Sequence, residues 1–156
     1  MKLRLINSSK NLNLGRILQL QKTKLMLLGY FDKVKTFLLD MEHEINSENQ
    51  AEGIFIISNE NKGIKNAIID CEGEILVIEQ HIMSIDKDDA QMYKKLLQMN
   101  RTLIHGAFVL NETGTMILFR DTLQLSNLDF NELDGSLNAL SIGLAENGEQ
   151  FLDWAS

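Results

Sequence analysis

Proline is absent from this sequence, cysteine occurs once, and aromatic residues make up only 6% of it. Without proline there is no stiff polyproline linker to hold modules apart. Cys71 alone forms no internal disulfide, so the fold does not depend on an oxidising compartment. No apolar run approaches the roughly 18 residues of a membrane span. Basic side chains are outnumbered 22 to 15, leaving −7 at neutral pH, whereas phosphate-backbone binding draws on the opposite surplus. A nucleic-acid binder, a membrane-spanning protein and a stapled secreted domain are all disfavoured. The rest of the composition, 44% hydrophobic and 24% charged over 156 residues, is that of one soluble globular domain.

Catalytic chemistry has no visible carrier. None of His43, His81 and His105 has a histidine or cysteine partner at metal-ligand spacing. His43, between Glu42 and Glu44, reads as a side chain on a solvated helix face. Cys71, beside Glu72, lacks a neighbouring base that would lower its pKa, so a buried spectator thiol is expected. Asp86, Asp88 and Asp89 resemble the start of a calcium loop, but the glycine and closing glutamate are missing and helix capping explains them. No Gly-rich phosphate loop or nucleophile elbow is present. No catalytic residue, metal ligand or cofactor site is assigned.

Charge divides the chain unequally. Residues 1–29 carry Lys2, Arg4, Lys10, Arg16, Lys22 and Lys24 with no acid, while the remainder holds nine basic and all 22 acidic residues, or −13. The leading segment also shows a modest helical stripe of Leu14, Ile17, Leu18, Leu25 and Leu28. Its apolar stretch is too short for a signal core. It reads as a basic N-terminal extension, loosely packed or translated from upstream of the natural start, with a basic contact arm as the alternative. The domain proper is expected over residues 30–156.

From Tyr30 the apolar spacing Phe31, Val34, Leu38, Met41, Ile45 predicts a helix ended by the polar Asn46-Ser47-Glu48-Asn49. Strands follow at Ile54–Ile57, Ile64–Asp70 and from Ile75 toward Met83, joined by links too short for parallel crossovers. Asp88 and Gln91 form a capping-box signal for a helix bearing Met92, Tyr93, Leu96, Leu97 and Met99, with Gly106 as its stop. Ala107–Leu110 and Thr115–Phe119 flank a turn at Asn111–Gly114. A last helix opens at Asp129, with Glu132 completing its capping box, and buries Leu133, Leu137, Leu140 and Leu144. Phe151, Leu152 and Trp154 close the chain. Its glycines either permit close packing or mark a break near Gly148. The reading is a single α+β domain, order α-β-β-β-α-β-β-α, with an antiparallel sheet packed against three helices.

The strands are apolar on both parities, where a sheet with one wet face would alternate. Both faces therefore want cover. Either the three helices supply all of it, or a second copy or an extended client segment covers part of one face or an edge.

The element order and the run Leu96-Leu97-x-Met99-Asn100, followed by Gly106, Leu110, Gly114, Leu123 and the Leu-rich final helix, resemble the class I type III secretion chaperones, a group that includes Tir-chaperone-like and YbjN-like proteins. The similarity covers about residues 30–155 and is strongest through LLQMNRTLIHGAFVL and LFRDTLQL. It implies small acidic cytosolic homodimers that hold an extended segment of a partner protein on hydrophobic patches without ATP. It further implies pairing through the middle helix and the next strand, roughly Met92–Val109.

On this reading the chain is a non-enzymatic, cytoplasmic, chaperone-like homodimer that binds a protein client, with no cofactor, nucleic acid or membrane partner. Ile54, Ile56, Ile75 and Val77 are the expected client-contact residues; Met92, Leu96, Met99, Leu103 and Phe108 are the expected dimer interface. Two alternatives stand: a YbjN-type regulatory adaptor for a folded partner, and a small-ligand or enzymatic pocket lined by His81, His105 and carboxylates.

Overall fold

In the computed structural model, which describes residues 3–156 with side chains from residue 14 onward, the elements run α1 (Leu3–Asp40), β1 (Glu44–Asn49), β2 (Ile54–Asn59), β3 (Ile64–Glu72), β4 (Ile75–Ser84), α2 (Ala90–Met99), β5 (Ala107–Leu110), β6 (Met116–Gln124) and α3 (Phe130–Ala155). Lys2 and the side chains of Arg4 and Lys10 lie outside what is described. All six strands form one antiparallel sheet, in the order β1-β2-β3-β4-β6-β5. The α+β class and the order expected from the sequence are both present, with β1 added as an edge strand.

That extra strand replaces the expected loop, and its origin is local. The first helix stops at Asp40 because Glu42 adopts a left-handed backbone (φ 60°). The Glu42 N–H donates to the Leu39 carbonyl and the His43 N–H to the Leu38 carbonyl, both at 3.0 Å, the double bond of a Schellman stop without its usual glycine. The chain then turns back as β1. This strand is mostly exposed and polar, and pairing with β2 defines it rather than burial. Its bulged residue, Asn46, donates to Ser58 Oγ (2.8 Å) and to Asn66 Oδ1 (2.9 Å), tying two irregular strands together.

Two bulges decide which side chains reach the core. In β3 the register shifts across Lys65 and Asn66, with Asn66 in the left-handed region, so Ala67, Ile69 and Cys71 face inward. The buried Gln80 amide closes this kink, accepting from the Lys65 N–H (2.9 Å) and donating to the Gly63 carbonyl (3.3 Å). In β4 the shift at Ile82 turns Met83 inward.

The core lies between the inner sheet face and the helices. Phe31 of α1 stacks on Phe55 with ring centroids 4.0 Å apart, and Val34 and Leu38 are fully buried beside it. Helix α3 contributes Leu133, Leu137 and Leu140, and its Phe151 meets Phe108 edge-on at 5.0 Å. Phe37 and Phe130 bridge α1 to α3. Helix α3 starts as expected, Asp129 accepting from the Glu132 N–H, and runs unbroken through Gly148. Gly143 is the close-packing site: a Cβ there would lie 2.8 Å from Leu103. Helix α2 begins one residue later than the capping-box signal suggested. Asp89 caps Gln91 and Met92, while Asp88 accepts from the Tyr93 hydroxyl. Asn100 then fastens α2 to β5, bonding both the N–H and the carbonyl of Phe108.

Candidate functional site

The sheet has a second face, and the strand register shows what occupies it. Across the sheet, Ile54, Asp70, Val77 and Thr122 stand opposite one another, as do Ile56, Ile68, Glu79 and Arg120. Ile75 lies across from Glu72 and Gln124. Their neighbours Phe55, Ile57, Ile69, Leu76 and Ile78 point the other way and are fully buried. The structure thus brings Ile54, Ile56, Ile75 and Val77 onto one outer face. Val77 is enclosed at its centre, Ile54 and Ile56 are half-buried, and Ile75 is 37% exposed. Ile68, the most open of the group at 41%, completes the patch and was not anticipated. Its outward direction depends on the Lys65–Asn66 bulge. Val109 and Leu118 form a smaller apolar strip at the β5–β6 end of the same face, beside His81.

Acids rim this patch. Asp70 sits between Ile54 and Val77, and its carboxyl is pushed above the usual range, first by burial and then by Glu72, Glu79 and Glu52. Glu79 is paired with Arg120 across β4 and β6, which leaves Asp70 and Glu72 without an ion-pair partner among the described residues. An apolar surface with unbalanced negative charge favours apolar segments that carry lysine or arginine.

The expected dimer residues are elsewhere. Met92, Leu96, Met99 and Phe108 are between 2% and 6% exposed and belong to this chain's own core, and Leu103 is half-buried against Gly143. Helix α2 turns its apolar stripe inward, so these side chains are not offered to a second copy. The exposed large apolar residues of the segment are Leu97 (70%) and Ile104 (86%). Ile104 and Ile142 border an open cleft of about 440 Å³ between the α2–β5 loop and α3, with His105 and Ala139 on its walls. The edge strands are short and, in β1, polar, which limits pairing with other chains.

The titratable groups separate rather than converge. His81 stands on the outer face opposite Leu118, whereas His105 packs against Gly135 of α3 on the helical side, so they share no pocket. His43 is a correction: it is 3% exposed, not solvated, and neither ring nitrogen has a hydrogen-bond partner. Burial, reinforced by Lys62 and partly offset by Asp134, lowers its pKa to about 4. Cys71 is buried, and desolvation with nearby Asp70 raises its thiol to about 12, so it is not nucleophilic at neutral pH. Among the described residues no group of three His, Cys, Asp or Glu side chains is placed to hold a metal ion, and no helix is long and apolar enough to cross a membrane.

The fold has solved relatives. A structure described as YbjN, a putative transcription regulator from E. coli, superposes with a TM-score of 0.55 at 11% identity, covering 76% of this chain and 91% of that one. A chain of the HopA1–SchA chaperone–effector complex gives 0.50 at 16% identity over 80% and 93% of the two chains. A chain of the heterodimeric ExoU–SpcU complex from the type III secretion system of Pseudomonas aeruginosa gives 0.50 at 14% over 71% and 91%. No curated protein matches the sequence. At these identities the structures establish the fold. A family model, CesT_Tir_1, matches residues 28–156, and the chain accordingly belongs to the CesT_Tir_1 family, the Tir-chaperone-like group that the Leu96–Asn100 run resembles.

Proposed function

We propose that this protein is a non-enzymatic, chaperone-like binding module that holds an extended segment of a partner protein against the outer sheet face, working in the cytoplasm as a homodimer. The observation that carries the reading is the patch of Ile54, Ile56, Ile68 and Ile75 left partly open on a sheet whose other face is sealed by helices. Covering each half-exposed isoleucine releases about 1 kcal/mol, so several together support a useful affinity without any chemistry. An open apolar sheet face suits an extended segment whose apolar side chains it removes from water. Membership of the CesT_Tir_1 family and the fold shared with a chaperone–effector complex agree with this role.

The test is a photoreactive side chain placed at Ile68 or Ile75 of the full-length chain in its own cells, with exposed Lys94 as the control position. Cross-linked peptides from an unstructured region of another protein, obtained at the isoleucines but not at Lys94, are the expected result. Peptides from a folded surface would instead favour the adaptor reading, to which the YbjN-like fold lends support. Absence of any foreign peptide at both isoleucines counts against the proposal. Met92, Leu96, Met99 and Phe108 are buried in this chain's own core, so the proposed pairing of copies draws on its exposed surfaces.

A further inference from the structure

Most acids of the outer face rim its apolar patch, but Asp70 stands within it. Ile54 and Val77 lie opposite it on the two neighbouring strands, and Ile68 lies two residues along β3 on the same side. The carboxylate is half-buried there, and among the described residues it has neither an ion-pair partner nor a hydrogen-bond donor. A charge set among isoleucines without a partner costs stability, so packing does not account for it. Glu79, the acid across from Ile68, is taken up by Arg120, and Glu52 accepts from Asn49. Glu72 follows Asp70 at the next position on the same side of β3 and is exposed.

For an extended segment on this face, the strand beneath it sets the spacing. Packed layers of extended chain keep their directions within about 30° of one another, so the segment runs along β3. Side chains on one side of it then repeat every ~6.8 Å, as Ile68, Asp70 and Glu72 do beneath it. We infer, resting on the reading of this face as a client site, that it selects segments of a partner protein in which a lysine or arginine stands two residues from an apolar side chain. The apolar side chain covers Ile68 and the cation meets Asp70. A second cation two residues further on reaches Glu72. A cation only one residue from the apolar side chain points away from the sheet and gains nothing. Burial and the neighbouring acids that hold the Asp70 carboxyl above its usual range are offset by an incoming positive charge. The isoleucines thus supply attraction without choice, and Asp70 rejects segments that bring an acid or a neutral side chain to it.

The test uses purified full-length protein and three synthetic peptides of nine residues, the length of β3. The first carries leucine and lysine in turn at every second position, with serine between them. In the second the lysines are moved by one position, and in the third glutamine replaces lysine. Binding is followed by fluorescence anisotropy at low salt, and circular dichroism verifies folding of every variant. The first peptide is expected to bind at least about tenfold more tightly than either of the others. Asp70→Asn reduces that preference to about threefold or less, whereas Glu149→Gln, on the exposed side of α3, leaves it unchanged. Ile68→Ala with Ile75→Ala weakens all three peptides, which places their binding on the outer face. Equal binding of the first and second peptides overturns the inference without recourse to any variant. So does a preference that survives Asp70→Asn, binding that survives the double alanine change, or failure of all three peptides to bind. The cross-linking at Ile68 and Ile75 decides separately whether the face holds a client of any kind, so the selection by Asp70 can fail while that reading stands.

Discussion

The backbone N–H of His43 donates to the Leu38 carbonyl at 3.0 Å in the turn that ends α1, and the imidazole that follows this turn is buried instead of standing in solvent. The ring is held neutral there, its pKa lowered from 6.5 to about 4 by burial, then by Lys62, with Asp134 acting in the opposite sense. Between those two pH values the unfolded chain binds a proton that the folded chain refuses. Stability from this residue is therefore complete above pH 6.5 and is lost as the pH falls toward 4, by up to about 3 kcal/mol. Urea unfolding at pH 7.5 and 4.5 measures the loss. The variant His43→Leu is expected to lose clearly less stability over the same interval; an unchanged slope would show that the carboxylates alone set the acid limit.

Ile68 and Ile69 are neighbours in β3 with opposite fates. Ile69 is fully buried between Phe55 and Ile78, and Ile68 is 41% exposed between Ile56 and Glu79. Ile69→Ala is expected to cost about 2–5 kcal/mol, the usual range for emptying a packed aliphatic site. Ile68→Ala should cost less than about 1 kcal/mol in stability while weakening whatever binds the outer face. Thermal unfolding paired with the cross-linking yield at Ile75 separates the two effects.

The contrast also explains how far the sequence could be read. Strands, hairpin turns and the Asp129 cap are written locally, in runs of β-branched residues and in residues with one strong conformational preference, and they are found in the structure. Because the strands are apolar on both parities, the reading could ask for two covered faces and pick Ile54, Ile56, Ile75 and Val77, which the register then sets on one face. It could not place Ile68, whose direction depends on an extra residue at the Lys65–Asn66 bulge. Nor could it see β1, a polar strand defined by hydrogen bonds to β2. Glu42 gave no glycine signal for the left-handed stop that buries His43. The amphipathic stripe of α2 was visible, but periodicity does not say which surface a stripe meets. It met this chain's own core rather than a second copy.

Gly106 and Gly114 both have a positive φ, 67° and 68°, yet they should respond differently to alanine. A Cβ at Gly106 would overlap the Phe119 ring and lie 2.9 Å from the Arg120 carbonyl, whereas nothing lies within 4 Å of one at Gly114. Gly114→Ala therefore costs only the left-handed backbone penalty, about 1 kcal/mol. Gly106→Ala adds a steric conflict with a buried ring at the base of β5, and about 3 kcal/mol or more is expected. Equal losses in urea unfolding would mean that the Phe119 ring swings away freely.

Asp70 lies on the outer face among Ile54, Ile68 and Val77, where burial and its acidic neighbours disfavour the charged carboxylate. A carboxyl whose folded pKa is raised stabilises the fold while protonated and loses that contribution as the pH rises through the folded value. At pH 7 its charge is a cost. Asp70→Asn is expected to raise stability at pH 7 and to have no such effect near pH 3, a difference visible in melting temperatures at the two pH values.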